Sequence, residues 1–120
     1  MLRTLVIGLS HKTAPLDLRE RFSFPDESMD SLLNDLRGRE HIEECLILST
    51  CNRIEVYSFS DDLDSARKSI EGFLSGHSGQ PVSDFSRHLY VSYGNAAVRH
   101  LYSVACGMDS MVVGEPQILG

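Results

Sequence analysis

The sequence predicts an α+β fold of the split βαβ, ferredoxin-like kind: an antiparallel sheet, helices on one face and an extra C-terminal helix. Three observations predict it. Short apolar or alternating runs mark four strands, and a 3.6-residue apolar period marks three helices. Along the 120 residues these fall in the order strand, helix, strand, strand, helix, strand, helix. That length suits one domain with one modest core.

The first strand is RTLVIGL (3–9), branched and apolar enough to be buried on both faces. SHKTAP then breaks it, because Pro15 pushes Ala14 away from helical angles. In PDESMDSLLNDLRG (25–38) Pro25 suits a first helical turn, Met29, Leu32, Leu33 and Leu36 repeat at helical spacing, and Gly38 is the stop. IEECLILST (42–50) and RIEVYSF (53–59) read as two strands separated only by Cys51 and Asn52, hence a hairpin. Leu63, Ala66, Ile70, Phe73 and Leu74 mark a second helix ending near Gly76, and GHSGQP is expected to be loop. RHLYVSY (87–93) is the fourth strand, and NAAVRHLYSVACG (95–107) the last helix, closed by Gly107. The tail MDSMVVGEPQILG supplies Val112, Val113, Ile118 and Leu119 with no further helix to absorb them. That pattern is expected of a fragment of something longer, or of residues that pack back on the domain.

Composition excludes several classes. With 42% hydrophobic and 23% charged residues the chain is ordinary globular material and not a disordered one. No apolar run approaches a membrane span, and the first residues lack a secretory pattern, so a cytoplasmic protein is expected. A net charge of −6 argues against general coating of nucleic acid. The charge is uneven, however: within residues 1–21, Arg3, Lys12, Arg19 and Arg21 stand against Asp17 and Glu20. These cations are either a small phosphate-facing patch or a solvated face. The three cysteines share no CxxC or CxxH arrangement, so no metal site is expected.

Cys51 is the candidate nucleophile. A thiol reacts as thiolate, which a nearby cation or hydroxyl donor favours, and Thr50, Asn52 and Arg53 are its neighbours. Cys45, inside an apolar strand, and Cys106, after Val104 and Ala105, read instead as small buried hydrophobes. Among the five histidines His100 is the best acid/base candidate. At about 100° per residue it falls beside Ala97 and Val104, at the margin of a packed helix face. GEPQ (114–117) places a carboxylate, a kink and an amide after a glycine, where a ligand's ammonium or hydroxyl could be held. No glycine-rich dinucleotide fingerprint or P-loop is present. The residues alone leave three readings: a thiol nucleophile, a binding module in which Cys51 is structural, and a redox sensor resolving through Cys45 or Cys106.

Three separated stretches carry a resemblance. GLSHKTAPLDLRERFSF, LSTCNRIEVY and RHLYSVACGMDSMVVGEPQILG, in this order, resemble the amino-terminal domain of the glutamyl-tRNA reductase family over essentially the whole chain. The resemblance implies that residues 1–120 are the catalytic domain, with the NADPH-binding and dimerisation domains of the family absent. It implies that the cysteine at position 51 attacks the ester joining glutamate to its tRNA. Hydride from NADPH then reduces the resulting thioester to glutamate-1-semialdehyde, the first step of tetrapyrrole (5-aminolevulinate) biosynthesis. His100 matches a residue important for activity, and helping the ribose hydroxyl leave is the role expected of it. Thr50, Asn52, Arg53, Ser110, Glu115, Pro116 and Gln117 match positions lining the glutamyl pocket. Arg53 is expected to engage the substrate carboxylate, since a guanidinium offers paired donors, and Glu115 to face the α-ammonium. The implied partners are glutamyl-tRNA(Glu) and glutamate-1-semialdehyde aminomutase, with a homodimer for the full-length protein and a monomer for this fragment. A tRNA partner should meet the basic residues of 1–21 or be held mostly by the absent domains, and binding should weaken with salt.

Overall fold

A computed structural model of the chain describes residues 2–106, so Ser110, Glu115, Pro116 and Gln117 lie outside the described residues. The elements follow the expected order with two short additions. They are β1 (Arg3–Ser10), α1 (Leu16–Arg21), α2 (Met29–Arg37), β2 (Glu44–Ser49), β3 (Arg53–Ser60), α3 (Leu63–Ser78), α4 (Val82–Phe85), β4 (Tyr90–Tyr93) and α5 (Gly94–Ala105). The sheet runs β2-β3-β1-β4 with every neighbouring pair antiparallel, which is the split βαβ topology.

Strand alternation divides the sheet into two faces with different work. Leu5, Ile7 and Leu9 of β1, with Ile54 and Val56 of β3, point into the main core. There Leu36 of α2, Ile70 and Phe73 of α3, and Phe22 and Phe85 from the short segments cover them, all essentially inaccessible to water. Burying side chains of this size stabilises the fold by about 1.5–3 kcal/mol each. The alternate residues Val6 and Tyr57 face the other way and meet Ala97 and Leu101 of α5. The expected extra helix therefore lies against the face opposite α2 and α3.

Local chemistry sets the ends. Asp62 caps α3, its side chain accepting from the Ser65 N–H at 3.2 Å. The helix does not stop near Gly76 as the sequence suggests: Gly76, His77 and Ser78 remain helical. The stop is Gly79, whose φ of 73° supplies the left-handed cap. The last turn is held by His77 Nε2 donating to the Ser23 carbonyl at 2.8 Å and by the His77 ring stacking on Phe24. α1 and α4, of six and four residues, are too short to show a helical period. Pro25 precedes a 3₁₀ turn, Asp26–Ser28, and the helix proper begins at Met29. Strand β4 is shorter than expected because Ser86–His88 form a second 3₁₀ turn. Among the described residues no helix is long and apolar enough to cross a membrane.

Candidate functional site

The hairpin forms where the sequence places it. The pairing of β2 with β3 continues to Ser49 opposite Ile54, and Thr50 N–H donates to the Arg53 carbonyl at 2.9 Å, leaving Cys51 and Asn52 as the bend. Thr50 also caps the turn from within: its Oγ1 accepts from the N–H groups of Asn52 and Arg53, both at 3.2 Å. His11 N–H donates to the Asn52 carbonyl at 2.8 Å, tying the bend to the segment after β1. The result is a fixed loop whose cysteine is exposed at the end of the sheet.

Cys51 opens on a cavity of about 210 Å³ between the hairpin and α1. Thr50, Cys51, Arg53 and Ile54 form one wall, and Leu16, Arg19 and Glu20 of α1, with Ser23, the other. Asn52 is buried and does not line this cavity. Arg19 adds a cation that the local sequence around Cys51 does not reveal, its Nη1 donating to the Cys51 carbonyl at 2.9 Å. A larger cavity of about 330 Å³ lies on the outer face beside α5, with Leu46, Phe59, Val98 and Tyr102 in its walls. It is almost wholly apolar, and the only thiol there, Cys45, is half-buried and pushed up in pKa by that burial. An exposed thiol beside cationic side chains is therefore found at the smaller cavity. Cys106 departs from expectation: it is exposed at the C-cap of α5, its N–H donating to the Tyr102 carbonyl at 2.9 Å. None of the three cysteines is in a disulfide.

Arg53 is 1% exposed, and its guanidinium meets the carboxylate of Glu55, with Nη1 to Oε2 at 3.6 Å. Much of its charge is therefore answered inside the protein. Glu55, fully buried, is the residue that reading the sequence misses. Its Oε1 accepts from the Tyr57 hydroxyl at 2.8 Å, and its Oε2 from the Tyr90 hydroxyl at 2.6 Å and from Nε2 of His100. Burial pushes the Glu55 carboxyl upward, but the hydrogen bonds from His100 and Tyr90, the charge of His100 and the bond from Tyr57 outweigh it, so the net shift is downward. Burial, then the adjacent Glu55 carboxylate, drives the Tyr57 and Tyr90 hydroxyls far above their ordinary range, keeping both as donors. The sequence did carry a signal: Arg53, Glu55 and Tyr57 alternate with Ile54 and Val56, a polar face on a strand whose other face is core.

His100 sits at the margin of α5, its side chain 22% exposed, with Ala97 and Val104 buried beside it. It does not line the Cys51 cavity. The two are joined through Glu55, which touches both His100 and the Arg53 that forms part of the cavity wall. Among the described residues no group of three or more His, Cys, Asp or Glu side chains is placed to hold a metal ion.

Comparison with known proteins agrees with this architecture. The family model described as "Glutamyl-tRNAGlu reductase, N-terminal domain" matches residues 7–120. Glutamyl-tRNA reductase of Parasynechococcus marenigrum (strain WH8102) is 47% identical over 114 residues, which cover 95% of this chain and 26% of that protein. The enzyme of the same name from Syntrophotalea carbinolica is 47% identical over 116 residues, 97% of this chain and again 26% of the relative. Among solved structures, glutamyl-tRNA reductase from Methanopyrus kandleri superposes with a TM-score of 0.67 at 31% identity, covering 97% of this chain and 25% of that one. The chain thus spans about a quarter of the length of these relatives.

Proposed function

Because the chain belongs to the glutamyl-tRNA reductase N-terminal domain family, we propose that it carries the acyl-transfer part of that enzyme's chemistry, with Cys51 as nucleophile and glutamyl-tRNA(Glu) as substrate. The observation that carries the reading is the placement of an exposed cysteine at the tip of a closed hairpin, facing a cavity bounded by Arg19 and Arg53.

The sulfur of Cys51 attacks the ester carbonyl that joins glutamate to the tRNA. A C–S bond forms, the C–O bond to the ribose breaks, and the ribose oxygen leaves as a hydroxyl with one proton. An aminoacyl ester is already activated, so a thiolate displaces it with modest assistance. Arg19 and Arg53 are the cations lining the cavity for the substrate's side-chain carboxylate, with Arg53, buried and paired with Glu55, the more constrained of the two. His100 is the group that gives the departing oxygen its proton. Ser110, Glu115, Pro116 and Gln117 complete the pocket in this proposal, with Glu115 toward the α-ammonium.

Reduction of the thioester to glutamate-1-semialdehyde, opening tetrapyrrole biosynthesis, calls for hydride from NADPH. The described residues do not fit that cofactor. β1 ends at Ser10 and passes through Pro15 into a six-residue helix, without the strand, glycine loop and helix that cradle a dinucleotide's pyrophosphate. All strand pairs are antiparallel, and the Cys51 cavity of about 210 Å³ is small for a dinucleotide. We assign the hydride step to no described residue of this chain.

The experiment is to incubate the chain with glutamyl-tRNA(Glu) and map adducts by mass spectrometry. A glutamyl group on Cys51, absent from Cys51→Ser, is the expected result. A wild-type chain that acquires none while the glutamyl-tRNA stays intact overturns the reading.

A further inference from the structure

We propose that Glu55 is the positioning residue for His100, fixing the imidazole so that Nε2 carries a hydrogen toward the buried carboxylate and Nδ1 faces away from it. The inference deepens the acyl-transfer reading and rests on it for the role of His100.

The geometry is specific. Glu55 lies on β3 with its carboxylate wholly inside the protein, and its donors come from three different elements. Tyr57 of β3 reaches Oε1, while Tyr90 of β4 and His100 of α5 converge on Oε2 beside the Arg53 guanidinium. An ionised carboxylate only accepts hydrogen bonds. The imidazole nitrogen facing it must therefore carry hydrogen, in the neutral ring as well as in the protonated one. The hydrogen bonds from His100 and Tyr90, the charge of His100 and the bond from Tyr57 outweigh the burial, so the carboxyl is held below its ordinary range. The ring is also fixed in place by its packing at 5.4 Å, tilted, against the Tyr90 ring. A flipped ring would turn Nδ1 toward Glu55 and remove the bond to Nε2.

Space for this network is reserved in the backbone. Gly8 pairs with Glu55 on one side and with Tyr90 on the other. A β-carbon at position 8 would stand 2.8 Å from Glu55 Cγ and 2.9 Å from the Tyr90 hydroxyl. The strand thus yields side-chain volume so that Glu55 and Tyr90 can meet over it.

The proton balance closes on one imidazole. Acyl transfer from ester to thiol releases one proton from Cys51 and requires one at the ribose oxygen. In this proposal His100 supplies the proton at the ribose oxygen and regains one as the Cys51 proton passes to solvent, and Glu55 stays ionised throughout, as an orienting carboxylate does for a catalytic histidine.

The test reads the ring itself. Nitrogen-15 NMR of the imidazole nitrogens in the 120-residue chain should show neutral His100 protonated at Nε2. In Glu55→Gln, whose amide can accept from Nε2 or donate to it, that preference should weaken, and Cys51 acylation by glutamyl-tRNA should slow on the order of 10- to 100-fold. Alkylation of Cys51 by iodoacetamide, which needs no leaving-group proton, should change by no more than about twofold. A wild-type ring protonated at Nδ1, or Glu55→Gln acylating at the wild-type rate, overturns the proposal. The wild-type tautomer decides even if the variant fails to fold. A wild-type chain that takes up no glutamyl group sinks the acyl-transfer reading instead, and the tautomer still decides whether Glu55 orients the ring.

Discussion

Gly8 and Glu55 face each other across the β1–β3 pair so closely that a β-carbon on residue 8 would lie 2.8 Å from Glu55 Cγ, with the Ile54 carbonyl oxygen equally near. One of those neighbours is backbone and cannot swing away. Gly8→Ala is therefore expected to destabilise the chain by about 1–3 kcal/mol through overpacking. Denaturant titration should show a lower midpoint with unchanged slope. Acylation of Cys51 should fall as well, because relief of the clash displaces Glu55. A variant as stable and as active as the wild type would refute the close approach.

The same carboxylate makes stability depend on acid. Burial raises its pKa, but the bonds from His100 and Tyr90 prevail and the folded-state value lies below the unfolded one. A depressed carboxyl contributes stability that is fully present above its unfolded pKa and is lost as pH falls through the folded one. Urea titrations from about pH 6 to pH 3 should show stability declining below the ordinary glutamate range of about 4.3. Glu55→Gln should flatten part of that decline, and an unaltered slope in the variant would show that Glu55 is not depressed.

The thiols should separate by exposure. Cys51 and Cys106 are exposed, whereas Cys45 is half-buried with its pKa pushed upward by burial. Native alkylation counted by mass should give two fast sites and one slow site, and denaturant should make all three equivalent. Three equally fast sites in the native chain would contradict the placement of Cys45. For the same reason, any test of Cys51 reactivity is cleaner in a Cys106→Ser background.

Arg19 joins α1 to the hairpin through a hydrogen bond to the Cys51 carbonyl, on the protein surface. Its removal in Arg19→Ala should cost no more than about 1 kcal/mol of stability. The effect should appear in substrate use, as slower acylation at low glutamyl-tRNA concentration that recovers when the concentration is raised. A loss that persists at saturation would place Arg19 in the chemical step and not in binding.

What the sequence made legible is local. Period-two and period-3.6 patterns located β1 to β4, α2, α3 and α5, and two strands meeting at Cys51 and Asn52 declared the hairpin. The antiparallel sheet and its topology followed from element order. What escaped is what the tertiary structure assembles. Glu55, Tyr90 and His100 lie on β3, β4 and α5, and only the sheet order brings them to one point. Arg19 reaches Cys51 from 32 positions away. The exposure of Cys106 escaped because an apolar-looking helix end says nothing about whether a further layer exists to cover it.

The alternation along β3 has a further consequence, for folding. Ile54 and Val56 point to the core, while Arg53, Glu55 and Tyr57 point to the other face, and nearly all of them are buried. A hairpin misaligned by one residue would exchange the two sets. It would drive a guanidinium and a carboxylate in among Leu5, Ile7 and Phe73, at a cost of several kcal/mol, and strand the tyrosine hydroxyls from their acceptor. The polar groups that orient His100 thus also proofread the chain: a misaligned fold is penalised by the same residues whose correct alignment builds the site.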